Sequence, residues 1–131
     1  MHKIMVVDDS AFIRAKYTKA LKAGGFEVVE AKNGAEALEQ YRHCEPDGVF
    51  LDVNMPVMDG IATLHELMRI DPKTRVALVT CAGAQSIILV ALKVGARDCL
   101  DKPLDDALIV TIANRLISPL SFGISAGITA G

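Results

Sequence analysis

Ile4-Met5-Val6-Val7-Asp8-Asp9-Ser10 opens the chain with four apolar residues, three of them β-branched, closed by two carboxylates and a hydroxyl. A short continuous apolar run bounded by polar residues reads as a strand buried on both faces. The theme recurs at Phe26 to Val29, Val49-Phe50-Leu51, Val76 to Val79 and Asp98-Cys99-Leu100, giving five strands. Between them lie stretches with helical spacing: Ile13, Tyr17 and Leu21 behind the N-cap candidate Ser10; Ala37, Leu38 and Tyr41; Ile61, Leu64 and Leu67-Met68; Ile87 to Val94; and Leu108, Ile112 and Leu116.

Near-continuous apolar strands separated by helices predict an α/β fold, a parallel sheet covered on both faces and wound by right-handed crossovers. Gly24-Gly25 and Gly95 stand where left-handed helix stops are wanted, Asn33-Gly34 reads as a turn, and Asp59-Gly60 reads as a turn with a helix cap.

In such a sheet the residues just past the carboxyl ends of the strands converge at one edge, where open α/β sheets bind ligands. With crossover units of about 30 residues, Asp8-Asp9, Asp52, Thr80 and Lys102 each follow an apolar run and reach that same edge. Three carboxylates, a hydroxyl and an ammonium there can grip a divalent metal and stabilise a phosphoryl group on one carboxylate. Each is ordinary alone: an acidic pair caps helices, and a threonine suits a strand for its branching. The coincidence at matching strand ends carries the reading.

The 131 residues fit one domain, with no linker before residue 118. A formal net charge of -2 gives no basic footprint, so no direct nucleic-acid binding is expected. The chain runs from Met1 straight into a strand, and its longest apolar run, Ile87 to Leu92, is too short to span a bilayer. A cytoplasmic protein is expected, without membrane insertion. Cys44, Cys81 and Cys99 are an odd number without metal spacing, which reads as reduced thiols used in packing. Cys81 and Cys99 are placed on adjacent strand ends. His2, His43 and His65 share no metal spacing and read as surface residues.

The motifs Val-Val-Asp8-Asp9-Ser, Leu-Asp52-Val-Asn54-Met-Pro56-Val-Met-Asp59-Gly60, Thr80, Gly95-Ala96 and Asp-Lys102-Pro103, in this order, closely resemble the receiver domain of two-component response regulators. The resemblance covers residue 3 to about residue 117, and among such proteins the chain is similar to the stand-alone chemotaxis class. It implies a flavodoxin-like, doubly wound sheet of order 2-1-3-4-5 with five helices in residues 1–117. It implies a phosphorylation-dependent switch: Asp52 accepts a phosphoryl group from a histidine kinase, a phosphotransfer protein or a small acyl phosphate, and the altered surface binds a downstream protein. Mg²⁺ would be held directly by Asp9, Asp52 and the main-chain carbonyl of Asn54, with Asp8 acting through water. Lys102 would pair with a phosphoryl oxygen and Thr80 would swing in to bond another. The Lys102-Pro103 bond would be cis, and Met55-Pro56 would shape the approach to Asp52. Asn54 and Ala82 stand where relatives tune phosphoryl lifetime.

Two departures stand out. Three residues before the lysine, where receivers carry Tyr or Phe, this chain has Cys99, and a thiol does not fill a ring's volume. From Ser118 to Gly131 runs an uncharged Gly- and Ser-rich tail. Two functions compete with the switch. A Mg²⁺-dependent phosphoaspartyl phosphohydrolase shares the Asp, Mg²⁺ and Lys, but resembles a pattern with its nucleophile after the first strand and a second Asp two residues on, where this chain has Asn54. A non-phosphorylated interaction module would not need a complete acceptor site.

Ile87, Ile88, Leu89 and Val90 occupy four successive helical positions, so some must face away from the sheet. Leu108, Ile109 and Val110 repeat the pattern on the last helix. The fourth helix, fifth strand and fifth helix are therefore expected to form a homodimer or partner-docking face.

Overall fold

The computed structural model describes residues 1–55, 58–81 and 85–118, with main chain alone at 85 and 86. Ten elements alternate: β1 Lys3–Val7, α1 Ala11–Ala23, β2 Glu27–Ala31, α2 Gly34–Cys44, β3 Gly48–Asp52, α3 Gly60–Ile70, β4 Val76–Thr80, α4 Gln85–Val94, β5 Asp98–Asp101 and α5 Asp106–Ile117. All strands are parallel and ordered β2-β1-β3-β4-β5. This is the expected doubly wound, flavodoxin-like sheet. The expected tail, from residue 119 on, lies outside the described residues.

Strand side chains alternate between the two faces, and each face has its own core. Met5, Val7, Val49, Leu51, Val76 and Leu78 pack with Tyr41 of α2, Leu64 and Leu67 of α3 and Ala91 of α4. Ile4, Val6, Phe50, Ala77 and Val79 pack with Tyr17 and Leu21 of α1 and Ile109, Ile112 and Leu116 of α5. Burial of each large aliphatic side chain contributes about 1.5–3 kcal/mol, so the three central strands are the best anchored part of the molecule. Tyr17 meets Phe50 edge-on, with ring centroids 5.8 Å apart.

Helix starts are fixed by side chains that accept from otherwise unpaired amides. Ser10 Oγ accepts from the Ile13 amide at 3.2 Å, Asp59 Oδ1 from Ala62 at 2.8 Å and Asp105 Oδ1 from Leu108 at 2.8 Å. Asn33-Gly34 is not a free turn: Asn33 caps α2, accepting from the Glu36 amide at 2.8 Å, because its short amide serves a cap as well as a turn. Gly25 (φ 93°) and Gly95 (φ 133°) adopt the left-handed backbone expected of helix stops, whereas Gly24 (φ -83°) does not.

The apolar run of α4 divides as its periodicity demands. Ile87, Ala91 and Val94 turn to the sheet, while Leu89, Val90 and Leu92 are exposed, Leu89 at 64%. The last helix departs from expectation. Ile109 is buried, and Leu108 and Val110 pack against the core shared with α1, Val110 facing Gly24. Its three apolar residues span the arc that meets both sheet and α1, so Ile109 is taken up by the core and Leu108 and Val110 are half-buried rather than fully turned to solvent.

Candidate functional site

Register sets the site. Val7 lies opposite Leu51, so Asp8 and Asp52 leave the sheet side by side from β1 and β3. Asp52 pairs with Val79 and Thr80 with Asp101, which brings Lys102 to the same rim. Asp8 and Asp52 are 3% and 2% exposed, while Asp9, one residue further, is exposed. Carboxylate oxygens of all three lie within 4.8 Å of one another.

Lys102 Nζ lies 2.9 Å from Asp52 Oδ1 and 3.4 Å from Asp8 Oδ2. The Lys102-Pro103 bond is cis, as expected, and the Lys102 amide donates to the Thr80 carbonyl at 2.8 Å. Asp8 Oδ1 accepts from the Ser10 amide at 2.9 Å, and the Asp8 carbonyl accepts from Arg14 Nη1 at 2.7 Å. Asp52 Oδ1 also accepts from the Asn54 amide at 3.3 Å. Behind it, a Cβ at Gly60 would stand 2.5 Å from both the Asp52 carbonyl oxygen and Val53 Cα, and the Gly60 amide donates to the Val53 carbonyl at 2.9 Å. Only glycine lets α3 start this close to the end of β3.

Burial raises the pKa of Asp52, opposed by the hydrogen bond from Lys102 and reinforced by the charge of Asp8. Burial pushes Lys102 down, but the two carboxylates outweigh it and its pKa ends raised. Three carboxylates face one ammonium, leaving a formal excess of two negative charges on hard oxygen donors. That donor set fits a small divalent cation that keeps part of its water shell, as Mg²⁺ does.

The structure therefore brings Asp8, Asp9, Asp52 and Lys102 together. Thr80 is buried at the adjoining strand end, where its hydroxyl donates to the Cys81 carbonyl at 3.3 Å. Asn54 follows Asp52 at the rim, and its Nδ2 donates to Cys81 Sγ at 3.3 Å. Pro56 and Ala82 lie outside the described residues. Cys81 and Cys99 are not at adjacent strand ends: Cys99 sits mid-strand opposite Leu78 and packs toward the α2–α4 face, whereas Cys81 lies beyond Thr80 and is exposed. Burial, aided by Asp98, pushes the Cys99 thiol up to about 11, so it stays protonated at neutral pH and serves packing. His2, His43 and His65 are exposed, as expected.

Sequence reasoning missed Tyr17 as a neighbour of the site. Its phenol is pushed up to about 12, mainly by burial, with Lys102 acting against and Asp8 and Asp52 with that shift. A phenol in an otherwise aliphatic stripe, Ile13, Tyr17 and Leu21, was the available signal.

Residues 4–114 match the family model of the response regulator receiver domain. The chain is 40% identical over 118 residues to chemotaxis protein CheY of Bacillus subtilis (strain 168), covering 89% of this chain and 98% of that protein. It is 36% identical over 115 residues to CheY of Thermotoga maritima, covering 87% and 96%. Among solved structures, a response regulator receiver domain protein from Clostridium thermocellum matches at a TM-score of 0.85 and 29% identity, covering 89% of this chain and 94% of that one. A chain of the CheX–CheY–BeF3–Mg²⁺ complex from Borrelia burgdorferi matches at 0.84 and 31% identity, covering 89% and 90%.

Proposed function

Because this chain belongs to the response regulator receiver family, whose CheY members it resembles over nearly their full length, we propose that Asp52 is the phospho-acceptor of a signalling switch. One observation carries the assignment: a carboxylate buried at the end of the central strand is held at 2.9 Å by an ammonium from β5, beside a second buried carboxylate. That arrangement presents a desolvated nucleophile with a cation ready for the incoming charge.

An Asp52 oxygen attacks phosphorus, the bond to the donor's leaving group breaks, and an aspartyl phosphate results. Lys102 follows the new negative charge and pairs with a phosphoryl oxygen. Thr80 gives up its bond to the Cys81 carbonyl and donates to another phosphoryl oxygen, drawing the loop after β4 inward. Asp9, Asp52 and the Asn54 carbonyl would hold Mg²⁺, with Asp8 bonded through water. The ion supplies charge neutralisation for the attacking and transferring groups.

The donor is a histidine kinase or phosphotransfer protein in the cytoplasm, and the reader is a downstream protein rather than nucleic acid. A relative in this family is found with Mg²⁺, BeF3 and the protein CheX. The exposed Leu89, Val90 and Leu92 of α4 offer the apolar part of a partner-docking or self-association face. Cys99 in place of a ring leaves α4, rather than an aromatic side chain on β5, as the reporter. A signalling role, rather than turnover of a metabolic phosphoester, follows the family.

Intact mass after incubation with acetyl phosphate and Mg²⁺ tests this. Wild type should gain one phosphoryl group and Asp52→Asn none, and sustained release of phosphate from an unrelated phosphoester would favour the hydrolase instead. Equal adducts on both proteins would overturn the assignment.

A further inference from the structure

The peptide between Asp8 and Asp9 is where a buried strand end passes into an exposed acid. Rotation of that one peptide plane would carry the Asp9 carboxylate away from Asp52. Three bonds hold Asp8 itself: its amide donates to the Ala31 carbonyl at 3.1 Å, its Oδ1 accepts from the Ser10 amide at 2.9 Å, and its carbonyl accepts from Arg14 Nη1 at 2.7 Å. Of the three, the bond from Arg14 is the one that acts on the plane shared with Asp9.

Arg14 is itself aimed. Its Nε donates to Glu30 Oε1 at 3.0 Å, and the other oxygen of Glu30 accepts from Thr18 Oγ1 at 3.1 Å. Thr18 follows Arg14 by one turn of α1, and Glu30 stands on β2 opposite Val6, so helix and edge strand together fix the carboxylate. A guanidinium is a rigid planar fork, and with Nε held on Glu30 the direction of Nη1 is held too. The pairing also matters for charge. A guanidinium without a counter-ion would repel a divalent cation at Asp9, and Glu30 offsets it.

We propose that Arg14, aimed by Glu30, is a positioning residue for cation binding: it sets the affinity of the acidic edge for Mg²⁺ by fixing the Asp8–Asp9 peptide, without touching the ion. This role rests on the Mg²⁺ ligands proposed above. It concerns cation uptake by the form without a phosphoryl group, in which these contacts are seen. Groups that orient a metal ligand from outside the coordination shell are worth about 10- to 100-fold in metal affinity.

Calorimetric titration of the full, unphosphorylated chain with Mg²⁺ tests this, in about 0.15 M salt to screen exposed charges, with thermal midpoints in chelator measured alongside. Arg14→Lys keeps the charge but not the fork, and Arg14→Met keeps neither; both should weaken Mg²⁺ binding about tenfold or more. Glu30→Gln should weaken it about two- to fivefold, the worth of a partly exposed ion pair, and adding it to Arg14→Met should change nothing further. A merely structural Arg14 would lower the midpoint in chelator and leave the affinity of the folded protein unchanged. Wild-type affinity in Arg14→Lys, tighter binding in Arg14→Met, or an equal effect of Glu30→Gln with and without Arg14 overturns the proposal alone. Should both Arg14 variants fail to fold, Glu30→Gln decides, and wild-type affinity in it has the same meaning. A wild type that takes up no Mg²⁺, or an Asp9→Asn variant that binds it equally well, overturns the ligand set, and this role with it.

Discussion

Lys102 reaches over the end of β4 to place its ammonium 2.9 Å from Asp52, although the two residues leave strands that are not neighbours in the sheet. The span works because the Lys102 amide is pinned to the Thr80 carbonyl, so the side chain starts from the strand it crosses. The cation is thus part of the site before any phosphoryl group arrives.

Removing that cation should be costly. Lys102→Gln leaves Asp52 and Asp8 buried without their counter-charge. Loss of one partner of a buried ion pair costs about 3–5 kcal/mol, and partial exposure of Lys102 reduces this to about 1–3 kcal/mol. The folded-state pKa of Lys102 is raised, so its contribution is present at neutral pH and fades only in alkaline solution, as pH rises through that raised value. Chemical denaturation should show Lys102→Gln less stable than wild type at pH 7 in chelator, with the gap closing in strong alkali. Equal midpoints at pH 7 would show that the pair is not formed.

Asp52 carries the opposite sign. Its folded-state pKa is raised, chiefly by burial, so the ionised form costs stability at neutral pH, and the cost disappears as pH falls below the ordinary carboxylate value of 3.8. With carboxylate oxygens within 4.8 Å, repulsion between two of the acids is about 3 kcal/mol at an effective dielectric near 20, partly cancelled by Lys102. Asp52→Asn should therefore raise the unfolding free energy at pH 7 in chelator by about 1 kcal/mol, and the advantage should shrink toward pH 3. Mg²⁺ should stabilise wild type and do so less for Asp52→Asn or Asp9→Asn. Lower stability of both variants in chelator would contradict this balance of charges.

The polar edge was legible because parallel sheets sort polarity along each strand: apolar through the core, then Asp8, Asp52, Thr80 or Lys102 where it ends. Contacts between loops were not legible. Nothing in the spacing of Asn54 and Cys81 shows that their side chains meet, since the meeting depends on how β3 and β4 end relative to each other. Helix facing was half legible. Four successive apolar residues on α4 require that some be exposed, but the same argument misplaced Val110, because α5 has two neighbours and buries a wider arc than a helix lying on a sheet alone. Asn33-Gly34 shows a third kind of ambiguity, where one dipeptide suits both a turn and a cap.

Gly60 is where fold and site share an atom's worth of space. A methyl there meets the Asp52 carbonyl oxygen and Val53 Cα at 2.5 Å, and both are main-chain atoms that have no rotamer to adopt. Gly60→Ala should cost about 1–3 kcal/mol, as overpacking does, and should slow acetyl phosphate uptake on Asp52 by displacing its carboxylate from Lys102. Urea denaturation and intact-mass kinetics read the two effects separately. Wild-type behaviour in both would mean that α3 slides away at no cost.

The exposed face of α4 gives the last expectation. Leu89 and Leu92 are 64% and 49% exposed on a helix whose Ile87, Ala91 and Val94 already satisfy the sheet, so the fold does not use them. Large apolar side chains grouped on one small surface mark an interface more often than scattered ones do. Leu89→Lys with Leu92→Lys should leave the unfolding free energy within about 0.5 kcal/mol of wild type, as exposed substitutions do, and leave phosphorylation of Asp52 intact. It should abolish concentration-dependent self-association or weaken binding to the cognate partner at least about tenfold, the effect of removing a hot-spot contact of over 1 kcal/mol. Val110→Lys should instead unfold the α1–α5 packing, because its side chain faces Gly24. Sedimentation velocity of each variant with and without acetyl phosphate, together with a binding isotherm for the cognate partner, distinguishes these. If the double variant matches wild type in both assays, α4 is not the surface through which the switch is read.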